Sequence, residues 1–299
     1  MGETKVDSQA GVIDQAGPQG FVYYDLRARV RSHDISLLFP DWQREERVMV
    51  FSPHDDDAVL GAGYAILAAS SNGAEVYVCV FCDGWAGYSD PDGARTIVAR
   101  RRRETIAAYE SLGIPKDHIV RLEYPDLSLS SWLGWRLPGG AEGAAAKLLP
   151  KMRELRPTRL LIPNGYREHV DHEAAFRMGV HHGPQVGGAI LAEYGSSERI
   201  RSYLQYSVGG DFSPEDALAC EASACLRANR AIAAPVEVEK LILGAIGEFG
   251  SQSQVIARNL EAREVNRVRG NRALEVYLTV DPRPPLRYAP YHDLVKRIS

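Results

Sequence analysis

One imidazole and three carboxylates occupy four consecutive positions, His54-Asp55-Asp56-Asp57, between an apolar run and a Gly-Ala-Gly turn. Buried together, such groups repel one another and lose hydration unless a cation or solvent neutralises them. A second concentration, His169-Val170-Asp171-His172, lies more than a hundred residues downstream. Zinc in hydrolases takes three N or O ligands and leaves a position open for water. His54, an aspartate of the first cluster and His172 supply that number. The other carboxylates, His169 and Asp171 are left for acid–base work beside it.

Chemistry of this kind needs a frame. Residues 48–52 read as a short buried strand and 59–72 as a helix, so the acidic cluster falls on the turn between them. Further strands are expected at 75–82, 118–123 and 158–162, and helices at about 95–112, 141–155 and 172–180. Four strand–helix units predict an α/β, Rossmann-like three-layer fold with a mostly parallel sheet and right-handed crossovers. Both motifs then leave the carboxyl ends of strands, the edge where such sheets bind ligands. The loops at 83–90 and 124–140, rich in Gly, Trp and Tyr, rim the same crevice. Beyond residue 185 the pattern is mixed: strand-like at 189–194, helical at 214–232 and 236–249, and a final strand at 274–280. Residues 1–20 read as a flexible tail and 21–299 as a single domain, with its core at about 47–285.

At 299 residues, 45% of them hydrophobic, the chain can build a large core. Its net charge of -4 gives no overall pull toward nucleic acid or anionic membranes. The run Arg100-Arg101-Arg102-Arg103 precedes an apolar helical pattern and reads as the polar start of a helix. There is no secretory leader pattern and no apolar stretch of about 18 residues, so a cytoplasmic protein is expected. Cys79 and Cys82 form a C-x-x-C inside a strand, which points to buried thiols rather than a redox or zinc knuckle. Gly61-Ala62-Gly63 lacks the third glycine of a dinucleotide-binding turn, and carboxylates stand where a pyrophosphate would lie.

Pro53-His54-x-Asp56-Asp57 followed by His169-x-Asp171-His172 resembles the LmbE/PIG-L family of zinc-dependent N-acetylglucosamine deacetylases. Asp83-Gly84, Arg101-x-x-Glu104, Pro125-Asp126, and Lys240 ahead of Ser251-Gln252 extend the resemblance over about residues 47–285. The chain departs from the family pattern at Asp55, where proline is usual, and at Ala58, where glutamate is usual. The resemblance implies one Zn2+ per chain on His54, Asp57 and His172, with Asp56 as base on the attacking water. It implies that His169, oriented by Asp171, polarises the amide oxygen or protonates the leaving amine. Arg101 and Asp126 are implied as substrate contacts, and Trp85, Tyr88, Trp132 or Trp135 on the rim could form a stacking platform for a sugar face. The expected reaction removes acetyl from a small amino sugar or glycoside of N-acetylglucosamine type, in a homo-oligomer. A metal-dependent hydratase, another amide hydrolase, or a non-catalytic sugar- or metal-binding module are the alternatives.

Overall fold

The computed structural model describes residues 20–195, 198–213, 219–221, 224–268 and 271–298. All but the last residue of the expected tail lies outside them.

Strands β3 (Arg47–Ser52), β4 (Glu75–Cys82), β5 (Ile119–Tyr124), β6 (Arg159–Pro163) and β7 (Ser202–Tyr206) make a parallel block in the order β5-β4-β3-β6-β7. Here β1 is Val22–Asp25 and β2 is Val30–Ser32. Alternation along a strand sends successive side chains to opposite faces. Val48 and Val50 enter one core while Met49 and Phe51 enter the other. Helices α1 (Asp57–Ser71), α2 (Ile97–Ser111) and α5 (Val236–Gly247) contribute to the first core; α3 (Ala144–Leu155) and α4 (Val170–His182) contribute to the second. The three expected layers are present.

Beyond β7 the sheet continues antiparallel through β12 (Arg272–Val280), β10 (Arg230–Pro235), β1 and β2. The N-terminal stretch is therefore part of the sheet rather than a covering extension. Its attachment runs through Arg159, fully buried, which donates to Glu46 Oε1 (2.9 Å), Pro40 O (2.6 Å) and Asp41 O (2.8 Å). Arg201 shares Glu46 through Oε2 at 2.7 Å. Burial alone would raise the Glu46 carboxyl, but bonds from Arg159 and Thr158 lower it to about 2.

Two expectations beyond residue 185 are corrected. Residues 189–194 hold a single 3-10 turn, Ala192–Tyr194, and the strand beside β6 comes later, at β7. The helix expected at 214–232 gives way, among the described residues, to a hairpin of β8 (Ala219–Glu221) and β9 (Ala224–Leu226) and to the start of β10. Alanine favours helix locally, but Ala231, Ile232, Ala233 and Ala234 are buried in a strand paired on both sides, and tertiary pairing overrides the preference. Helices α6 (Ser253–Val265) and α7 (Ala289–Ile298) were not anticipated. Between them lies the short strand β11 (Arg267–Val268). No helix of the described residues is long and apolar enough to cross a membrane.

The chain runs outward from β3 through β4 to β5, then returns to the other side of β3 as β6. That reversal opens a crevice at the carboxyl ends of β3 and β6, the two strands that precede the two motifs.

Candidate metal centre and active site

Three ligand atoms converge in the crevice. His54 Nδ1 and His172 Nε2 each lie 3.1 Å from Asp57 Oδ2. Ligands on a tetrahedral ion with bonds of about 2.0 Å stand about 3.3 Å apart, so these two separations match the spacing of a zinc-type donor set. The imidazoles of His54, His169 and His172 also bring ring nitrogens within 4.8 Å of one another, leaving His169 at the border of the same centre.

Two further carboxylates orient the rings. His172 Nδ1 lies 2.9 Å from Glu168 Oε2, and His54 Nε2 lies 3.2 Å from Asp171 Oδ2. A carboxylate can only accept, so each pair keeps the proton on the far nitrogen and leaves the near one with a lone pair for a metal. Burial alone would lower both histidines. Asp57 instead raises His54 well above its ordinary value and His172 to about 9. A cation binding here must displace those protons.

The neighbouring aspartates divide by environment. Asp57 would rise through burial, but His172 and His54 pull it well below the carboxylate range. Asp56 is raised, chiefly by burial and then by the Asp57 charge, against the opposing pull of Arg101. Adjacent carboxyls driven apart in this way are suited to separate ligand and base roles. Asp56 stands at the N-cap of α1 but makes no capping bond; Arg101 Nη2 lies 3.4 Å from its Oδ1. Asp55 faces away from the metal cluster, fully buried. It accepts from Arg101 Nε at 2.8 Å, from Thr105 Oγ1 and from Arg121 Nη1.

His169 caps α4: its Nδ1 accepts the backbone N–H of Asp171 at 3.1 Å. The proton of the neutral ring therefore sits on Nε2, free to be donated. Burial and the nearby charges of His54 and His172 lower its pKa. The Asp171 carboxylate is 3.7 Å from this ring and engages other partners: His54, and the backbone N–H groups of Leu127 (2.6 Å) and Leu129 (3.0 Å). Asp171 thus meets His169 through its backbone N–H and His54 through its side chain.

A cavity of about 530 Å3 opens over these groups, lined also by Arg101, Asp126, Arg167 and Gln252. Arg101 is buried and already held by Asp55 and Asp56. Asp126 accepts the backbone N–H groups of Gly84 (2.9 Å) and Ala86 (3.0 Å), fixing the rim turn. Gly84 has φ +80°, and a Cβ there would meet Arg101 Cδ at 2.6 Å, so the turn needs glycine. Trp85, 44% exposed, does not line the cavity, and no Trp, Tyr or Phe does among the described residues. Trp132 packs on Tyr124 and Trp135 on Tyr194. The expected aromatic platform is absent from the described wall.

Glu168 is the main residue that sequence reasoning missed. Besides His172, it accepts at Oε1 from the backbone N–H groups of Val208 (2.9 Å), Gly209 (2.7 Å) and Gly210 (2.7 Å) and from Ser207 Oγ (2.8 Å). A carboxylate four residues before a ligating histidine at a helix start was the available signal. The 207–210 turn that it anchors left none.

An open α/β sheet with a histidine–carboxylate cluster at its switch point defines the class: an α/β protein whose clustered side chains could hold a metal ion. Residues 49–182 match the family model described as PIG-L: GlcNAc-PI de-N-acetylase. A diacetylchitobiose deacetylase of Thermococcus kodakarensis is 26% identical over 167 residues, covering 54% of this chain. The chain spans 57% of the length of that relative. Among solved structures, the N,N'-diacetylchitobiose deacetylase of Pyrococcus horikoshii superposes with a TM-score of 0.58 at 19% identity, covering 83% of this chain and 90% of that one. The 4-carboxy-2-hydroxymuconate hydratase of Pseudomonas putida KT2440 does so with 0.52 at 18%, covering 82% and 100%. At these identities both likenesses concern the fold.

Proposed function

We propose that the protein is a zinc-dependent N-deacetylase that releases acetate from an N-acetylglucosamine-type amino sugar or glycoside. One observation carries the reading: His54 Nδ1 and His172 Nε2, each turned by its own carboxylate, meet Asp57 Oδ2 at ligand spacing, with Asp56 and His169 beside them. The family match over residues 49–182 supports an amide as the bond cleaved.

Bound at these residues, zinc supplies Lewis acidity to a water and to the amide oxygen. The protein does the rest. Asp56, its pKa raised chiefly by burial, takes the proton of the attacking water. His169 offers its Nε2 proton to the oxygen that gains charge or to the departing nitrogen. Arg101 and Asp126 line the cavity where sugar hydroxyls would be gripped. The same reading has one Zn2+ per chain and a single domain over 21–299, acting in the cytoplasm as a homo-oligomer.

The test is acetate release from a panel of N-acetylglucosaminides by zinc-loaded protein. Asp56→Asn should retain about one zinc per chain and lose about a hundredfold or more in turnover. A binding module would hold zinc and sugar without releasing acetate. A hydratase would consume an unsaturated acid and leave every amide intact. Equal turnover by chelator-stripped protein would overturn the proposal.

A further inference from the structure

A second cavity, of about 420 Å3, lies at the amino edge of the parallel block, opposite the candidate active site. Arg199 and Arg201 approach it from the segment before β7, Arg230 from the start of β10, and Arg283 from just beyond β12. Guanidinium groups gathered from three separate segments repel one another in a partly dry cavity unless something negative lies between them.

The local carboxylates do not suffice. Arg201 pairs with Glu46 Oε2 at 2.7 Å, but Glu46 already serves Arg159; Arg230 pairs with Asp25 Oδ2 at 2.9 Å. Asp281 is the one carboxylate among the described lining residues, and its Oδ1 accepts the backbone N–H of Arg283 at 3.1 Å. Five arginines (159, 199, 201, 230, 283) thus stand against three carboxylates (Glu46, Asp25, Asp281), an excess of two positive charges. Two donors are also left over: the Nε atoms of Arg201 and Arg230 are shut off from solvent and have no hydrogen-bond partner among the described residues. The exposed Arg199 and Arg283 both act on the hydroxyl of the buried Tyr203, opposing the upward push of burial on its pKa.

We propose that this arginine-lined cavity is an anion site for a phosphate-bearing small molecule. A phosphate monoester carries close to two negative charges at neutral pH, which matches the excess, and its oxygens accept paired N–H donors from guanidinium forks. Pro184, Ile200 and Val280 provide apolar wall for a small organic body behind the phosphate. Because the cavity opens at the edge away from His54 and His172, its ligand is an effector rather than a substrate.

Calorimetric titration of the full chain at low salt, with inorganic phosphate and with glucose 6-phosphate, tests the site and separates a free phosphate from a phosphorylated body. Saturable binding of at least one probe is expected, weakened about tenfold or more in Arg199→Ala/Arg283→Ala and unchanged in Asp57→Asn. Should the double variant fail to fold, Arg283→Gln alone is read in the same way. Undiminished binding by the arginine variant, loss of binding in Asp57→Asn, or no saturable binding of either probe by the wild type would each overturn the proposal.

Discussion

Replacing Glu168 by glutamine keeps the shape of the side chain and removes its ability to accept hydrogen bonds on both sides. The carboxylate now accepts four donors at Oε1 from the 207–210 turn and the His172 ring at Oε2. An amide can face the turn with oxygen only by presenting N–H to His172 Nδ1. That nitrogen must then accept, so the ring proton moves to Nε2, the atom needed for metal. Turning the amide over instead would set N–H against three backbone N–H groups, losing about 1 kcal/mol for each bond and adding repulsion. The first arrangement is the cheaper, so the penalty falls on the metal. Loss of such an orienting partner typically weakens metal binding by about 10–100-fold, or about 1.4–2.7 kcal/mol. Zinc competition against a chromophoric chelator, with Glu168→Gln and wild type side by side, measures the shift. Affinities within about threefold of each other, with both proteins equally folded, would refute this account of Glu168.

Asp55→Asn should leave Arg101 and Arg121 short of a buried counter-charge, destabilising the fold by about 3 kcal/mol and lowering Tm by roughly 6–12 °C in a calorimetric scan. Trp85→Ala, by contrast, should leave kcat/KM for an N-acetylglucosaminide within about threefold of wild type, since an exposed rim side chain outside the cavity contributes little; a tenfold loss would restore the stacking role. The Glu46 carboxyl, ordinarily near 4.5, is depressed to about 2 in the fold. Its contribution to stability is therefore complete above about pH 4.5 and fades as pH falls through about 2. Glu46→Gln should be less stable than wild type at pH 7, and the gap should narrow toward pH 2 in denaturant melts; a gap that stays constant would contradict the linkage.

From residue 47 to 182 the fold could be read from the sequence because each element announces itself locally. Apolar runs such as Arg47–Ser52 are bounded by turn residues, and both motifs sit where strand gives way to helix. Past residue 185 the deciding forces are non-local. The segment holding Ala231 to Ala234 prefers helix on its own and becomes strand because β1 and β12 claim both its edges. The site divides along the same line. Residue type and spacing pointed to His54, His172 and an aspartate of the first cluster; the structure brings Asp57 beside both histidines, and Asp56 and Asp57 shift in opposite directions. Which ring Asp171 supports was not legible, because it depends on where the loop holding Leu127 and Leu129 comes to rest. Trp85 was overvalued since composition gives no direction to a rim side chain.

Asp55 stands where the family pattern that this sequence resembles has proline, and two arginines, a threonine and a tyrosine are arranged around it. That arrangement constrains how the sequence can change. Changing Asp55 alone to proline would leave Arg101 with only its longer carboxylate contact to Asp56 and Arg121 with only the carboxylate of Glu123, while replacing either arginine first would leave the acid with one guanidinium and Thr105. Proline is reached at this position with least loss by at least two coordinated substitutions, each harmful alone. Variants designed by copying residues one at a time from relatives should fail at this position, and pairs that exchange Asp55 together with Arg121 are the place to begin.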